Sequence, residues 1–165
     1  MTVLFLPEHA TAARFALELA QREASHLQFT HHRLFLVPPT AVWVNALSNN
    51  PFDAERLDAF VSRFARLQDH LGERLLPRFA ALVGDTPRSL LDAINTAERM
   101  RWVTSAQQFV AARKLRNLMV HEYMTDPALF LDAVLAADEA CSLLYDTVAC
   151  VQSWAIANDL LQESA

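Results

Sequence analysis

The sequence predicts an all-α protein, an antiparallel helical bundle of about five helices in a single domain spanning residues 1–165. Three observations carry this reading. Only two glycines occur in 165 residues, whereas a sheet protein of this size would draw on glycine for its tight turns. Apolar side chains recur at helical spacing, most clearly at Leu57, Phe60, Val61, Phe64, Leu67, Leu71 and Leu75. Capping residues and prolines punctuate the chain where such runs begin. With 53% apolar and 20% charged residues, the composition is that of an ordinary globular domain, and the length buries a core without disulfides or metals.

Taken in order, the first helix spans about Glu8 to Arg33, marked by Phe15, Leu19 and Leu27. Pro38-Pro39 and Ser48-Asn49-Asn50-Pro51 then bound a connector with room for a short helix around Val42 to Leu47. Asp53 is a candidate N-cap for the second helix. Pro77 should kink that helix, since it removes a backbone donor and crowds the preceding turn, and Gly84 should close it. Thr86-Pro87 reads as the start of a third helix, with Leu90, Leu91 and Ile94 as its buried stripe. Ser105 followed by Gln108 reads as a capping box opening a fourth helix, about residues 106–124. Asp126-Pro127 opens a long last helix reaching about Leu161. No repeat or low-complexity segment interrupts the series.

Charge and composition also exclude some functions. A net charge of −5 argues against a protein that coats nucleic acid generally, though it leaves room for a local basic cleft. Cys141 and Cys150 make neither a CxxC pair nor a larger cluster, so neither a disulfide framework nor a zinc site is expected. The opening Met1 to Leu6 is too short for a signal peptide, and no run approaches the length of a membrane span. A cytoplasmic protein without membrane association is expected. So few glycines leave none for a phosphate-cradling loop, which excludes an ATPase or a dinucleotide enzyme, and no cofactor is expected.

The chemistry concentrates near the end of the fourth helix. At about 100° per residue, Ala111, Ala112, Leu115, Leu118 and Met119 make an apolar face. Arg113, Asn117 and His121, four residues apart, stack along the opposite one. Arg116 and Tyr123 flank that stripe together. A guanidinium, a carboxamide, an imidazole and a phenol are thus set on adjacent ridges. Such a set suits a phosphodiester: imidazole can take a proton from a ribose 2′-hydroxyl near neutral pH. An arginine fork can neutralise charge growing on the phosphorus oxygens, and neither step requires a metal. From Arg99 to His121 stand Arg99, Arg101, Arg113, Lys114 and Arg116 with no Asp or Glu, a basic stretch in an acidic chain that suits phosphate.

The segment Arg116-Asn117-Leu118-Met119-Val120-His121-Glu122-Tyr123 resembles the motif of the HEPN superfamily, in which Arg is followed four to six residues later by His near a helix end. The residue after that Arg is typically polar, often Asn, and the HepT-like toxin branch adds a Tyr two after the His and usually a Val just before it. Asn117, Val120 and Tyr123 match all three. An Arg-x4-His pair alone is a weak signal; the added residues in order make it specific. The likeness covers about residues 89–148 well, and the first eighty only as generic bundle helices. A Gly/Ile/Pro-rich turn usual before the motif helix is replaced by Trp102-Val103-Thr104.

The resemblance implies a metal-independent endoribonuclease, the toxin of a toxin–antitoxin pair. Its catalytic residues would be Arg116, His121 and Asn117, with Arg113 and Lys114 holding RNA phosphates. It implies a homodimer with a composite site and a minimal nucleotidyltransferase as antitoxin, which attaches AMP to the Tyr matched by Tyr123. The alternative is a non-catalytic HEPN-like module that binds a nucleotide or a nucleotidyltransferase partner.

Other candidates are weaker. Arg63 and His70 form a looser Arg-x6-His pair, read as solvated surface. His31-His32 have no carboxylate or Cys at ligand spacing and read as surface histidines, and nothing is assigned to His9 or His26. Trp43, Trp102 and Trp154 read as core anchors, with Trp102 alone reconsidered as a stacking platform because it precedes the basic stretch. The Phe60, Phe64 and Leu67 stripe reads as core or a dimer seam.

Overall fold

Four side-chain caps decide where most of the long helices begin. Asn50 Oδ1 accepts from the backbone N–H of Asp53, Ser89 Oγ from that of Asp92, Ser105 Oγ from that of Gln108, and Asp126 Oδ1 from that of Leu129, at 3.1–3.4 Å. Each satisfies a donor that the first helical turn leaves unpaired. The structure, a computed structural model, describes residues 4–121 and 125–161. Its helices are α1 (Ala10–Leu34), α2 (Ala41–Asn45), α3 (Pro51–His70), α4 (Leu76–Leu82), α5 (Leu90–Arg99), α6 (Ala106–His121) and α7 (Pro127–Ala157). No strand occurs among the described residues.

Two predicted starts move. Asn50 caps α3, and Asp53 stands inside the first turn, where its carboxylate accepts from Asn50 Nδ2 (2.6 Å) and from the Trp43 indole (3.0 Å). Thr86-Pro87 does not open α5. Ser89 and Asp92 form a reciprocal cap, Asp92 Oδ2 accepting from Arg88 N–H at 3.2 Å, and that pair satisfies two donors where the Thr86 hydroxyl offers one. Before Pro77, Leu71–Leu75 widens into a π-helical turn, and α4 resumes the same helix, which accommodates the donor that proline lacks. Gly84 closes α4 at φ +81°, the left-handed conformation that glycine adopts without strain.

Residue pairings give the topology. Ala16 meets His70 and Thr30 meets Arg63, so α1 and α3 run antiparallel. Arg116 meets Asp69 while the Phe109 ring faces Gly72, so α3 and α6 do likewise. Arg14 reaches Leu160 and His31 reaches Asp138, which sets α1 against α7. With α6 packed on α7 as well, α1, α3, α6 and α7 close a four-helix ring, and α2, α4 and α5 cover its flanks. Inside lie Leu17, Leu27, Leu57, Phe60, Phe64, Leu67, Phe109 and Phe130, all 2% exposed or less. The Phe60, Phe64 and Leu67 stripe is therefore core within this chain. Trp102 is core too: it is buried, with its ring edge-on to Phe79 and Trp154 at 5.7 and 5.4 Å, so no base can stack on it.

Among the buried polar residues, Gln68 stands out. Gln68 is fully buried, and neither its Oε1 nor its Nε2 finds a hydrogen-bond partner among the described residues. Unpaired buried amides cost about 1–3 kcal/mol. Gln68→Met keeps the volume and removes the unsatisfied atoms, so it should raise the unfolding free energy by about 1 kcal/mol or more in a urea titration. An unchanged or lower midpoint would show that Gln68 is paired in solution.

Candidate functional site

Helix α6 delivers the motif residues in register. It is continuous to His121, so Arg113, Asn117 and His121 follow one another up one side at successive turns. His121 and Asn117 are exposed, Lys114 is exposed and Arg113 is half-buried. Arg113 and Lys114 make no ion pair with any described residue. Tyr123 lies outside the described residues.

Arg116 departs from the sequence expectation. It is not on an exposed ridge: its side chain is 27% exposed and leans on α3, where Nη2 donates to Asp69 Oδ2 at 2.7 Å. Nη1 donates to Asn117 Oδ1 at 3.0 Å, and Nε is buried without a partner among the described residues. A short charge-assisted bond on one nitrogen and an amide on another hold the guanidinium plane in one orientation. Asp69 is the residue that sequence reasoning missed. It lies forty-seven positions away, and the absence of acids between Arg99 and His121 says nothing about acids that the fold brings in from another helix. Arg99 is also less free than its sequence context suggests, since it lies 3.4 Å from Asp85.

The apolar face of α6 is narrower than the wheel predicts. Phe109, Ala112 and Met119 are buried, Leu115 and Leu118 are half-buried, and Ala111 is exposed. Ala111 instead lines a shallow groove of about 370 Å³ between α6 and α7, with Gln108, Ala112, Ala136 and Ala140. Val120 (43% exposed) and Leu129 (39%) stand uncovered on the two helix ends that flank the motif.

Comparison with family models, curated proteins and solved structures returned no match.

Two further sets of residues differ from the sequence reading. The Arg63 and His70 pair is not solvated surface. His70 is buried, with Nε2 2.8 Å from the Ala16 carbonyl, and Arg63 donates to the His26 carbonyl (3.0 Å) and the Thr30 hydroxyl (2.5 Å). Both tie α3 to α1. Nor is His31 a surface histidine. Its Nε2 lies 2.6 Å from Asp138 Oδ1 and its Nδ1 3.1 Å from the Tyr145 hydroxyl, both on α7. Burial raises the Tyr145 phenol, with Cys141 beside it adding to the effect. The phenol therefore keeps its proton and can donate to Nδ1, while Nε2–H donates to Asp138. Burial likewise pushes the Cys141 thiol up to about 12. A helical pattern shows each of these residues singly; only the packing of α1 on α7 joins them.

Proposed function

We propose that the chain is a metal-independent endoribonuclease of HEPN type, acting as the toxin of a toxin–antitoxin pair. One observation carries the reading: Arg116 is clamped by Asp69 and Asn117 five residues, or roughly a turn and a half, before an exposed His121 on the same helix. An oriented guanidinium and an accessible imidazole on one helix are the minimum set for attack by a ribose 2′-hydroxyl. His121 takes the hydroxyl proton, the 2′-oxygen bonds to phosphorus, and the bond to the 5′-oxygen breaks. The 5′-oxygen leaves with a proton, and a 2′,3′-cyclic phosphate remains. Arg116 neutralises charge on the non-bridging oxygens, with Arg113 and Lys114 on the flanking phosphates.

A second copy completes the site. One imidazole cannot be base and acid in the same step, whereas two motifs brought together across a two-fold axis supply both. Uncovered Val120 and Leu129 beside the motif offer an apolar surface for that contact. The cognate antitoxin is a minimal nucleotidyltransferase that adds AMP to Tyr123, placing phosphate charge where substrate phosphate must lie. Co-expression with such an enzyme should increase the intact mass by whole AMP units. Tyr123→Phe should abolish the increase, and neutralised toxicity without any mass change would mean inhibition by binding alone.

The alternative is a non-catalytic nucleotide- or partner-binding module, favoured by the Asp69 carboxylate that already neutralises Arg116. Incubating the purified chain with RNA in excess chelator separates the two. Chelator-resistant products ending in 2′,3′-cyclic phosphate are expected, and intact RNA would select the binding module.

A further inference from the structure

A groove lies away from the α6 motif, between the C-terminal part of α1 and the N-terminal part of α3. It encloses about 310 Å³, and its walls include Phe29, Arg33, Phe52, Glu55, Arg56 and Arg63. The two phenyl rings are 61% and 79% exposed, whereas Phe60, Phe64, Phe79, Phe109 and Phe130 fill the core. Arg33 stands over the Phe29 ring at 5.4 Å. The charge balance is positive. Glu55 is outnumbered by three arginines, and Arg63 spends its hydrogen bonds on a carbonyl and a hydroxyl, which leave its charge uncompensated. Among the described residues, Arg56 alone of the three forms an ion pair, with Asp53 at 3.7 Å. The surrounding protein carries a net charge of −5, so a local cationic groove with two exposed rings, one face of Phe29 covered by Arg33, selects a ligand both anionic and flat.

We propose that this groove binds single-stranded RNA, one base stacking on Phe29 and Phe52 while Arg33 and Arg56 hold the adjoining phosphates. Exposed aromatics interleaved with arginines grip unpaired nucleotides because every base offers a π-face and every linkage a charge. An acidic peptide would use the arginines but leave the rings idle, and an apolar partner would leave the charges unpaired. The choice of RNA among nucleotide polymers rests on the ribonuclease reading above; the groove chemistry does not. Position fits that use. With Arg116 opposite Asp69, His121 lies level with about Phe64 of α3, five residues or roughly 7 Å further along. The groove begins at that level and runs away from it. It lies about a quarter turn around α3 from Asp69, so one strand can occupy both.

The test uses the full chain carrying His121→Ala, so that RNA is not consumed, and a fluorescent twelve-nucleotide oligouridylate read by anisotropy. Phe29→Ala and Phe52→Ala should each weaken binding roughly five- to a hundred-fold. Arg33→Gln and Arg56→Gln should each lower the salt slope by about one. An abasic strand of equal length should bind the parent chain as weakly as uridylate binds the Phe variants. Phe29→Leu and Phe52→Leu keep apolar bulk without the ring and should behave like the alanine variants, which guards against misfolding as the cause. Equal binding of abasic and uridylate strands would reduce the groove to charge alone and overturn the proposal, as would Phe variants that bind like the parent. Phe variants that only convert a dimer to a monomer would make it a self-association surface and overturn it too. Chelator-resistant cleavage by the wild-type chain reports separately on α6, so either reading can fail while the other stands.

Discussion

Alanine at His121 is expected to lower RNA cleavage by two to four orders of magnitude, the usual loss when a proton-transfer group is removed. The imidazole is exposed at the end of α6, so its loss should move the unfolding free energy by no more than about half a kcal/mol. Arg116→Ala should abolish cleavage to a similar degree for a different reason, the loss of charge stabilisation at phosphorus. Its stability cost should be larger, about 1 kcal/mol, because a half-buried Asp69 loses its cation. Combining the two should cost little more activity than either alone, since the groups act in one step. Initial rates on a labelled RNA, paired with urea titrations of each variant, make the comparison. Wild-type rates in either single variant would refute the role assignment. Loss of fold in His121→Ala would mean that the motif is structural.

Raising the pH above 9 should destabilise this protein more steeply than a bundle without buried acids of weak strength. The cause is Cys141, which burial pushes up to about 12 while an unfolded thiol ionises near 8.5. The sign follows from linkage. The folded state retains a proton that the unfolded chain releases, so the stabilisation is whole below the unfolded value and lost as pH climbs through the folded one. Between those limits the loss reaches up to about 5 kcal/mol, a large share of a domain's usual 5–15 kcal/mol. The raised phenol of Tyr145 works in the same direction at still higher pH. Melting curves from pH 8 to 11.5 should fall steeply for the wild type and less so for Cys141→Ala with Tyr145→Phe. Parallel curves would show that the thiol ionises freely in the fold. At pH 8 a thiol reagent should leave Cys141 unmodified until the chain unfolds, because little thiolate forms in the folded state.

Helix content was legible residue by residue because its causes are local. Gly84, Pro77, Ser105 and Asp126 punctuate the chain through their own backbone and hydroxyl or carboxylate chemistry, and each acts where its type predicts. Asp53 and Thr86 misled because several residues compete for one cap. The winner depends on which oxygen lies opposite the free N–H, a matter of a single turn's geometry. The candidate site divides the same way. Asn117 and His121 stand on one side of α6 because the helical repeat alone puts them there.

What the sequence by itself determined is therefore whatever depends on neighbours within about four positions: the helices, their apolar stripes and the order of groups along the motif. Only the tertiary structure decided what those groups touch. Asp69 reaches Arg116 from another helix, His31 finds Asp138 and Tyr145 across the α1–α7 seam, and His70 is buried against Ala16. Phe29 and Phe52, separated by a connector and a short helix, come to face one groove. The physical reason is range. Propensity and capping act through bonds and the adjacent turn. Ion pairing, burial and the resulting proton affinities depend on distance through space, which is set only once four helices have packed.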